Sequence, residues 1–421
     1  MSVTEQTRMT SGGTKSSHIL MLSPTWPWPA NTGGSVRIVE LFRGLQRHVR
    51  VSLLAPATRM RDVAVPMADA TPIVTPPISR SGLLFRLLLQ SDPYHAQLYR
   101  SSVVAAAVAE QLRRDNIDLI YCHFLYSAQY LPRSVGVPVC VDPQNVDREY
   151  WSSKVAAARG LRRLVTVLNR NRVCRYERKL LDRFQAYVCV SNDDRRITQE
   201  YASPPVPHVL TAPNGVDARA FAPAAKPPPD ATTPLTLGFL GSLDVPMNVA
   251  SVRRFYGQVW PHLCQALAPR QTRLLLIGRN PDPSLIRLTR GDPGVVYSGT
   301  VPDVRPWLAQ LDIFVAPLVE GAGTKLKTLE AMAMGLPVVG TPLAFLGLGG
   351  ESGRHFHCAG DDRAFVAAIA DLAASPARRQ QMGTAARAYV ETRFSWDCIT
   401  DRLAHDLSRC FGLRLASASP P

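Results

Sequence analysis

The sequence predicts an α/β protein made of two doubly wound, Rossmann-like domains in tandem, and three observations point there. At 421 residues, 46% hydrophobic and 19% charged, the chain exceeds one ordinary core and has apolar material for two. Short apolar runs alternate with helix-length segments almost throughout. A Pro/Ala-rich stretch without periodicity, "FAPAAKPPPDATTP" (221–234), divides those runs into two series.

The first series comprises "HILMLS" (18–23), "VRVSLLA" (49–55), "IDLIYCHF" (117–124), "VPVCVD" (137–142), "AYVCVS" (186–191) and "PHVLTAP" (207–213). The second comprises "LTLGFLGS" (235–242), "TRLLLIGR" (272–279), "GVVYSG" (294–299), "DIFVAPL" (312–318) and "LPVVGT" (336–341). Continuous apolar runs of this length suit parallel strands buried on both faces, joined by helical crossovers. The expected organisation is a disordered tail (1–17), a first domain (18–222), a linker (223–234), a second domain (235–392) and a C-terminal helix (393–415). The last residues of "RLASASPP" (414–421) are also expected to be disordered.

Global properties exclude several classes. The eight cysteines are scattered, with no C-x-x-C, which argues against a disulfide framework or zinc site and favours a reducing, cytoplasmic setting. No export signal is expected at the N-terminus, and no run of apolar residues is long enough to span a bilayer. A net charge of +15 and a pI near 9.8 fit an anionic membrane face, nucleic acid or a phosphorylated substrate. Zinc fingers, RNA-binding aromatic signatures and basic-aromatic interleaving are missing, so no nucleic-acid partner is expected. Gly-x-Gly-x-x-Gly is absent, and the Walker-like "SGGTKSS" (11–17) precedes the first strand, outside the context a P-loop needs.

In doubly wound sheets, ligands collect at the carboxyl ends of strands. There "PANTGGSVRIVELFRGL" puts Gly33 and Gly34 before a helix expected to be capped by Ser35, either a plain turn or a backbone surface for an anion. Gly241 and Gly278 end two strands of the second series, and "SGTVPDVRPWL" supplies a polar loop containing Val301. "EGAGTKLKTLEAMAMGLPVVGTP" (320–342) reads as a glycine turn, a three-turn helix capped by Thr324 and stopped by Gly335, then a buried strand. Lys325 and Lys327 fall in its first turn, where the helix dipole disfavours cations by roughly 0.3–1 kcal/mol each. An anionic ligand would explain them; a solvated face with a Lys327–Glu330 ion pair is the alternative.

These motifs resemble the GT-B glycosyltransferases of the retaining, nucleotide-sugar-dependent family 4, and in particular bacterial exopolysaccharide sugar transferases. "FLGSLDVPMNVASVRRF", "LIGRNPDP", "GTVPDVRPWLA" and "VAPLVEGAGTKLKTLEAMAMGLPVVGTPLAFLGL" carry the resemblance in the second half, and "PWPANTGGSVRIVELFRGL", "DPQNVDREYW" and "APNGVDARAF" more loosely in the first. It implies two domains facing across a cleft, with a C-terminal helix returning to the first domain. It implies that Gly33, Gly34, Gly241, Ser242, Gly278, Val301, Gly323, Thr324, Leu326 and Glu330 contact the donor, Glu330 through the ribose hydroxyls. Lys325 and Lys327 would stabilise the leaving diphosphate, with no metal or other cofactor required. His123 is either a structural histidine or a catalytic group beside the transferred sugar. Gln144 and Asn145 would contact the sugar or the acceptor, a hydroxyl compound that could be lipid-linked.

The pattern departs from the resemblance in two places. The upstream glutamate expected before Glu330 falls on Ala322, leaving that role vacant or moved to Glu320. An arginine and a lysine common after the first strand of the second domain align with Ser242 and Met247, so Lys325 and Lys327 are expected to replace them. The missing glutamate keeps an inert GT-B scaffold as an alternative function, and glycosylation of a small natural product is another. Finally, "RGLRRLVTVLNRNRVCRYERKLLDRF" (159–184) interleaves nine basic residues with Leu161, Leu164, Val165 and Leu168 at helical spacing. This basic amphipathic helix either packs its apolar stripe into the first domain or docks peripherally on an anionic membrane.

Overall fold

The computed structural model describes residues 16–57, 67–76, 91–181, 183–202, 205–224, 233–320 and 325–416. Most of the 1–17 tail, most of the 223–234 linker, residues 417–421 and the motif residues Gly323 and Thr324 lie outside these residues.

The first half forms a seven-stranded parallel sheet in the order β3-β2-β1-β4-β5-β6-β7. Its strands are β1 (His18–Leu22), β2 (Arg50–Ala57), β3 (Ala70–Val74), β4 (Leu119–His123), β5 (Val139–Asp142), β6 (Ala186–Cys189) and β7 (His208–Thr211). Around them run α1 (Gly33–Leu45), α2 (Tyr94–Leu98), α3 (Ser102–Arg114), α4 (Asp147–Ala157), α5 (Gly160–Leu181) and α6 (Asn192–Tyr201). The second half forms a six-stranded parallel sheet in the order β10-β9-β8-β11-β12-β13. Its strands are β8 (Leu235–Leu240), β9 (Thr272–Ile277), β10 (Val295–Gly299), β11 (Ile313–Ala316), β12 (Val338–Gly340) and β13 (His357–Cys358). Its helices are α7 (Pro246–Arg254), α8 (Trp260–Leu267), α9 (Pro283–Leu288), α10 (Arg305–Leu308), α11 (Leu326–Ala333), α12 (Asp362–Ala374), α13 (Pro376–Phe394) and α14 (Trp396–Phe411).

Both sheets are buried on both faces, which is why their strands read as apolar runs. In β4, Ile120 and Cys122 enter one core layer while Leu119 and Tyr121 enter the opposite one, the period of two that strand geometry imposes. Strand order reverses between β1 and β4 and again between β8 and β11, so each half carries a crevice at its switch point.

Two strands escape the sequence pattern. β3 is a half-buried edge strand containing Pro72, whose missing N–H is tolerated only at an edge, and β13 is two residues long. α14 lies against the first sheet rather than the second: Trp396, Ile399, Leu403 and Leu407 join the core layer beneath α1. A Cβ on Gly44 would meet Thr400 Cγ2 at 2.3 Å, so α1 touches α14 through bare backbone. The chain passes between the halves at two adjacent points, tied by Val216 N–H to Phe394 O at 2.8 Å and Trp396 N–H to Val216 O at 3.2 Å.

The packing alternative for the stripe on α5 does not hold. Leu161, Leu164, Val165 and Leu168 are 54–78% exposed, and the buried residues of that helix are Val173, Tyr176, Glu177, Leu180 and Leu181. Each of the eight cysteines is a free thiol. Among the described residues, no helix is long and apolar enough to cross a membrane.

Candidate active site

In the second half, α11 follows β11 and opens onto the β8/β11 switch point. It is shorter than the motif suggests: eight residues from Leu326, with Lys325 as N-cap residue making no side-chain cap, in place of the expected three turns capped by Thr324. Gly335, at φ 68°, follows the helix as expected, because the left-handed region is open to glycine at little cost.

Lys325 is buried, and Lys327, in the first turn, is half-buried. The Lys327 ammonium donates to Asn248 Oδ1 at 2.7 Å and lies 4.6 Å from the centre of the Phe239 ring. It therefore turns toward β8 and α7 rather than pairing with Glu330, which removes the solvated-face alternative. Asn248 is held by its own amide donating to Ser242 O at 2.8 Å. A Cβ on Gly241 would stand 2.8 Å from Lys327 Nζ and 2.9 Å from Asn248 Nδ2, so only glycine leaves room for this arrangement. Gly278 has a backbone reason of its own: a Cβ there would meet Gly241 O at 2.0 Å.

Burial sets the protonation of this cluster. It pushes Lys327 down to about 8, helped by Lys325 and opposed by Glu330. Lys325 also falls to about 8 through burial, with Asp194 of α6 opposing from the first half. Glu330 is pushed up to about 7 by burial, against the pull of Lys327. Two lysines at the N-terminus of a helix, each disfavoured in its charged form, suit a site for a multivalent anion.

In the first half, α1 begins one turn earlier than expected. Thr32, not Ser35, is the N-cap, and the two form a reciprocal capping box, so Gly33 and Gly34 occupy the first turn. A Cβ on Gly33 would lie 3.4 Å from Leu326 Cδ1. The N-termini of α1 and α11 thus meet across the gap between the halves. A Cβ on Gly34 would press on Gln144 Oε1 at 2.9 Å and the Phe124 ring at 3.1 Å. Phe124 and Gln144 themselves adopt φ of 56° and 65°, uncommon for such side chains and concentrated at the ends of β4 and β5.

His123 ends β4, fully buried, and neither ring nitrogen has a hydrogen-bond partner. Its Nδ1 lies 3.9 Å from Asp142 Oδ2, too long for a hydrogen bond. Burial lowers its pKa to about 4 despite Asp142, which makes it a neutral imidazole near pH 7, able to donate to or accept from a hydroxyl. Asp142 is anchored by Arg37 Nε at 2.8 Å and the Tyr121 hydroxyl at 3.0 Å, and it accepts from Gln144 N–H at 3.2 Å. Arg37 also donates to Pro213 O at 3.1 Å, tying α1 to the loop after β7. Asn145, beside Gln144, is partly exposed.

Ser242 and Val301 follow β8 and β10, and Glu330 lies one turn along α11. Asn248, rather than the aligned Met247, is the α7 residue facing Lys327. A polar side chain in the first turn of α7, buried there, is the signal that marks it. Arg37 and Asp142 were also missed, although a carboxylate closing the apolar run "VPVCVD" hints at a buried partner.

Two family models match, one in each half. The model described as Glycosyltransferase Family 4 matches residues 31–220, and the one described as Glycosyl transferases group 1 matches residues 234–375. A curated relative from Corynebacterium glutamicum, a GDP-mannose-dependent monoacylated alpha-(1-6)-phosphatidylinositol monomannoside mannosyltransferase, is 30% identical over 238 residues. That match takes in 51% of this chain and 59% of the relative, less than two thirds of its length. Sucrose-phosphate synthase from Thermosynechococcus elongatus superposes with a TM-score of 0.68 at 18% identity, over 94% of this chain and 99% of that one. Anabaena HepE, solved in complex with UDP and glucose, superposes with a TM-score of 0.60 at 15% identity, over 93% and 100%. At these identities the two structures bear on the fold.

Proposed function

Because this chain belongs to the glycosyltransferases of family 4 and group 1 and has their GT-B fold, we propose that it moves a hexose from a nucleoside-diphosphate sugar to a hydroxyl acceptor with retention of configuration. The observation that carries the reading is the Lys327 ammonium, aimed by Asn248 at the β8/β11 crevice from the first turn of α11. The donor diphosphate lies against that turn, with Lys325 and Lys327 neutralising charge as it leaves and Glu330 accepting from the ribose hydroxyls. Gly241, Ser242, Gly278, Val301 and Leu326, with Gly323 and Thr324, complete the donor side.

The sugar faces the first half, where His123 donates to one of its hydroxyls. This contact would satisfy a buried imidazole whose unmet groups cost about 1–3 kcal/mol. Gln144 and Asn145 hold the acceptor. Its hydroxyl attacks from the face the diphosphate leaves and passes its proton to a phosphate oxygen, so neither a protein nucleophile nor a metal takes part. Stabilising charge on the leaving group is then the main catalytic effect. The acceptor is a glycan or lipid-linked sugar of cell-surface polysaccharide synthesis; the lipid-linked form is supported by the phosphatidylinositol monomannoside acceptor named for the Corynebacterium relative.

A thermal-shift and donor-hydrolysis screen against UDP-, GDP-, ADP- and dTDP-sugars tests this reading. One nucleotide series should stabilise the protein, and turnover should survive excess EDTA and give product of the donor's anomeric configuration. No response from folded protein to any donor would favour an inert scaffold, and inversion would remove the front-face mechanism.

The pH dependence of donor affinity has a defined shape. With the lysines titrating at about 8, affinity should fall as pH rises above 8, by up to about tenfold per unit for each lysine. Below about 7, Glu330 takes up its proton and affinity should decline more gently. Calorimetric titration from pH 6 to 10 checks both limbs; Glu330→Gln should flatten the acid one and, by removing the carboxylate that holds the Lys327 pKa up, move the alkaline one to lower pH.

A further inference from the structure

The hairpin of α4 and α5 has no counterpart in the chemistry of the cleft. α4 leaves the carboxyl end of β5, on the cleft side, and α5 returns to the start of β6. With 22 residues α5 is about 33 Å long, yet its buried residues begin at Val173. Its first half therefore adds no buried side chain to the core, and α4 packs alongside it.

On that half, Leu161, Leu164, Val165 and Leu168 stand three and four residues apart on one face, 54–78% exposed. Seven residues on from Leu168 the same face carries Arg175, then Lys179, both exposed. Arg159, Arg162 and Arg163 crowd the apolar end, also exposed. Among the described residues, none of these five basic side chains enters an ion pair. An apolar tip continuous with an unneutralised basic strip matches a surface that is greasy beneath and anionic above.

We propose that the tip of this hairpin docks the protein on an anionic lipid surface, the four apolar side chains entering the headgroup boundary and Arg175 and Lys179 meeting lipid phosphates. Since α4 springs from the cleft edge, docking would hold the mouth of the cleft beside the bilayer. The surface is separate from the donor site, so its test needs no turnover.

The test is sedimentation with vesicles of equal phosphatidylglycerol and phosphatidylcholine, and with phosphatidylcholine alone, at about 50 mM and about 500 mM salt. The protein should pellet with the anionic vesicles at low salt and leave them at high salt. Arg175→Glu/Lys179→Glu should weaken partitioning by at least about 25-fold, and Leu164→Gln/Leu168→Gln should abolish it, with both variants melting as the parent does. A parent that stays in the supernatant with anionic vesicles overturns the proposal, even if a variant fails to fold. So does binding that survives both substitutions. A dimer by light scattering that Leu164→Gln/Leu168→Gln breaks, with no vesicle binding by the parent, would assign the face to a second copy instead.

Discussion

Lys327→Met should lower kcat/KM for sugar transfer by about 10²–10³, the scale seen when one preorganised donor to a developing anion is removed. The same substitution should raise the melting temperature of the donor-free protein. In the native chain the ammonium is held where burial depresses its pKa to about 8, below its ordinary 10.5. The unfolded chain therefore binds more protons than the folded one between those values, and the charged form weighs against folding most heavily below pH 8. Methionine fills similar volume without a charge to desolvate, so the gain should be about 1–3 kcal/mol near neutral pH. It should shrink as pH rises from 8 toward 10.5. A variant that loses both donor turnover and stability would make Lys327 a structural residue. Asn248→Ala should reproduce a milder loss of turnover, because Asn248 aims the ammonium without carrying its charge.

Asp142→Ala should destabilise the first half by about 3–5 kcal/mol, since it leaves Arg37 buried without its partner. A drop in melting temperature of roughly 10 °C follows for a half of this size. Arg37 is 1% exposed, which is why the cost should be large. Asp142→Asn keeps an acceptor for Arg37 and Tyr121 and should cost less. If Asp142→Ala melted with the parent, Arg37 would have to be hydrated or able to swing free. At a temperature where the alanine variant stays folded, transfer should still fall, because the backbone carrying Gln144 loses its tie to Asp142.

Much of this architecture was legible in the sequence because parallel strands buried on both faces leave continuous apolar runs. The exceptions are informative. β3 carries a proline and lies half-exposed at an edge, so it lacks that signal, and β13 is too short to have one. Helix starts were misplaced by a few residues. Ser35 is a good capping residue, but here it donates its backbone N–H to the Thr32 hydroxyl and its own hydroxyl accepts from the Thr32 N–H, so it serves as the third residue of the cap that Thr32 begins. Lys325 and Lys327 stood out from charge alone, since a helix N-terminus is a poor place for cations.

What they face was not legible. The aligned position pointed to Met247, whereas the helical turn of α7 directs Asn248 toward Lys327. The buried Arg37–Asp142 pair joins residues 105 apart in sequence, a distance no local pattern reports. The stripe on α5 shows the same limit. Its periodicity marks a face, while only the tertiary packing of the helix decides whether that face is covered.

The central claim is that Lys325 and Lys327 receive the donor diphosphate, and proton uptake on binding tests it most directly. Calorimetry at pH 8 in two buffers of different ionisation enthalpy gives the number of protons taken up with the donor that the screen selects. Two lysines titrating at about 8 are each half charged there, so an anion that charges both should bring in roughly one proton, and Lys327→Met should halve that. Donor binding with no proton uptake, in parent and variant alike, would contradict the account.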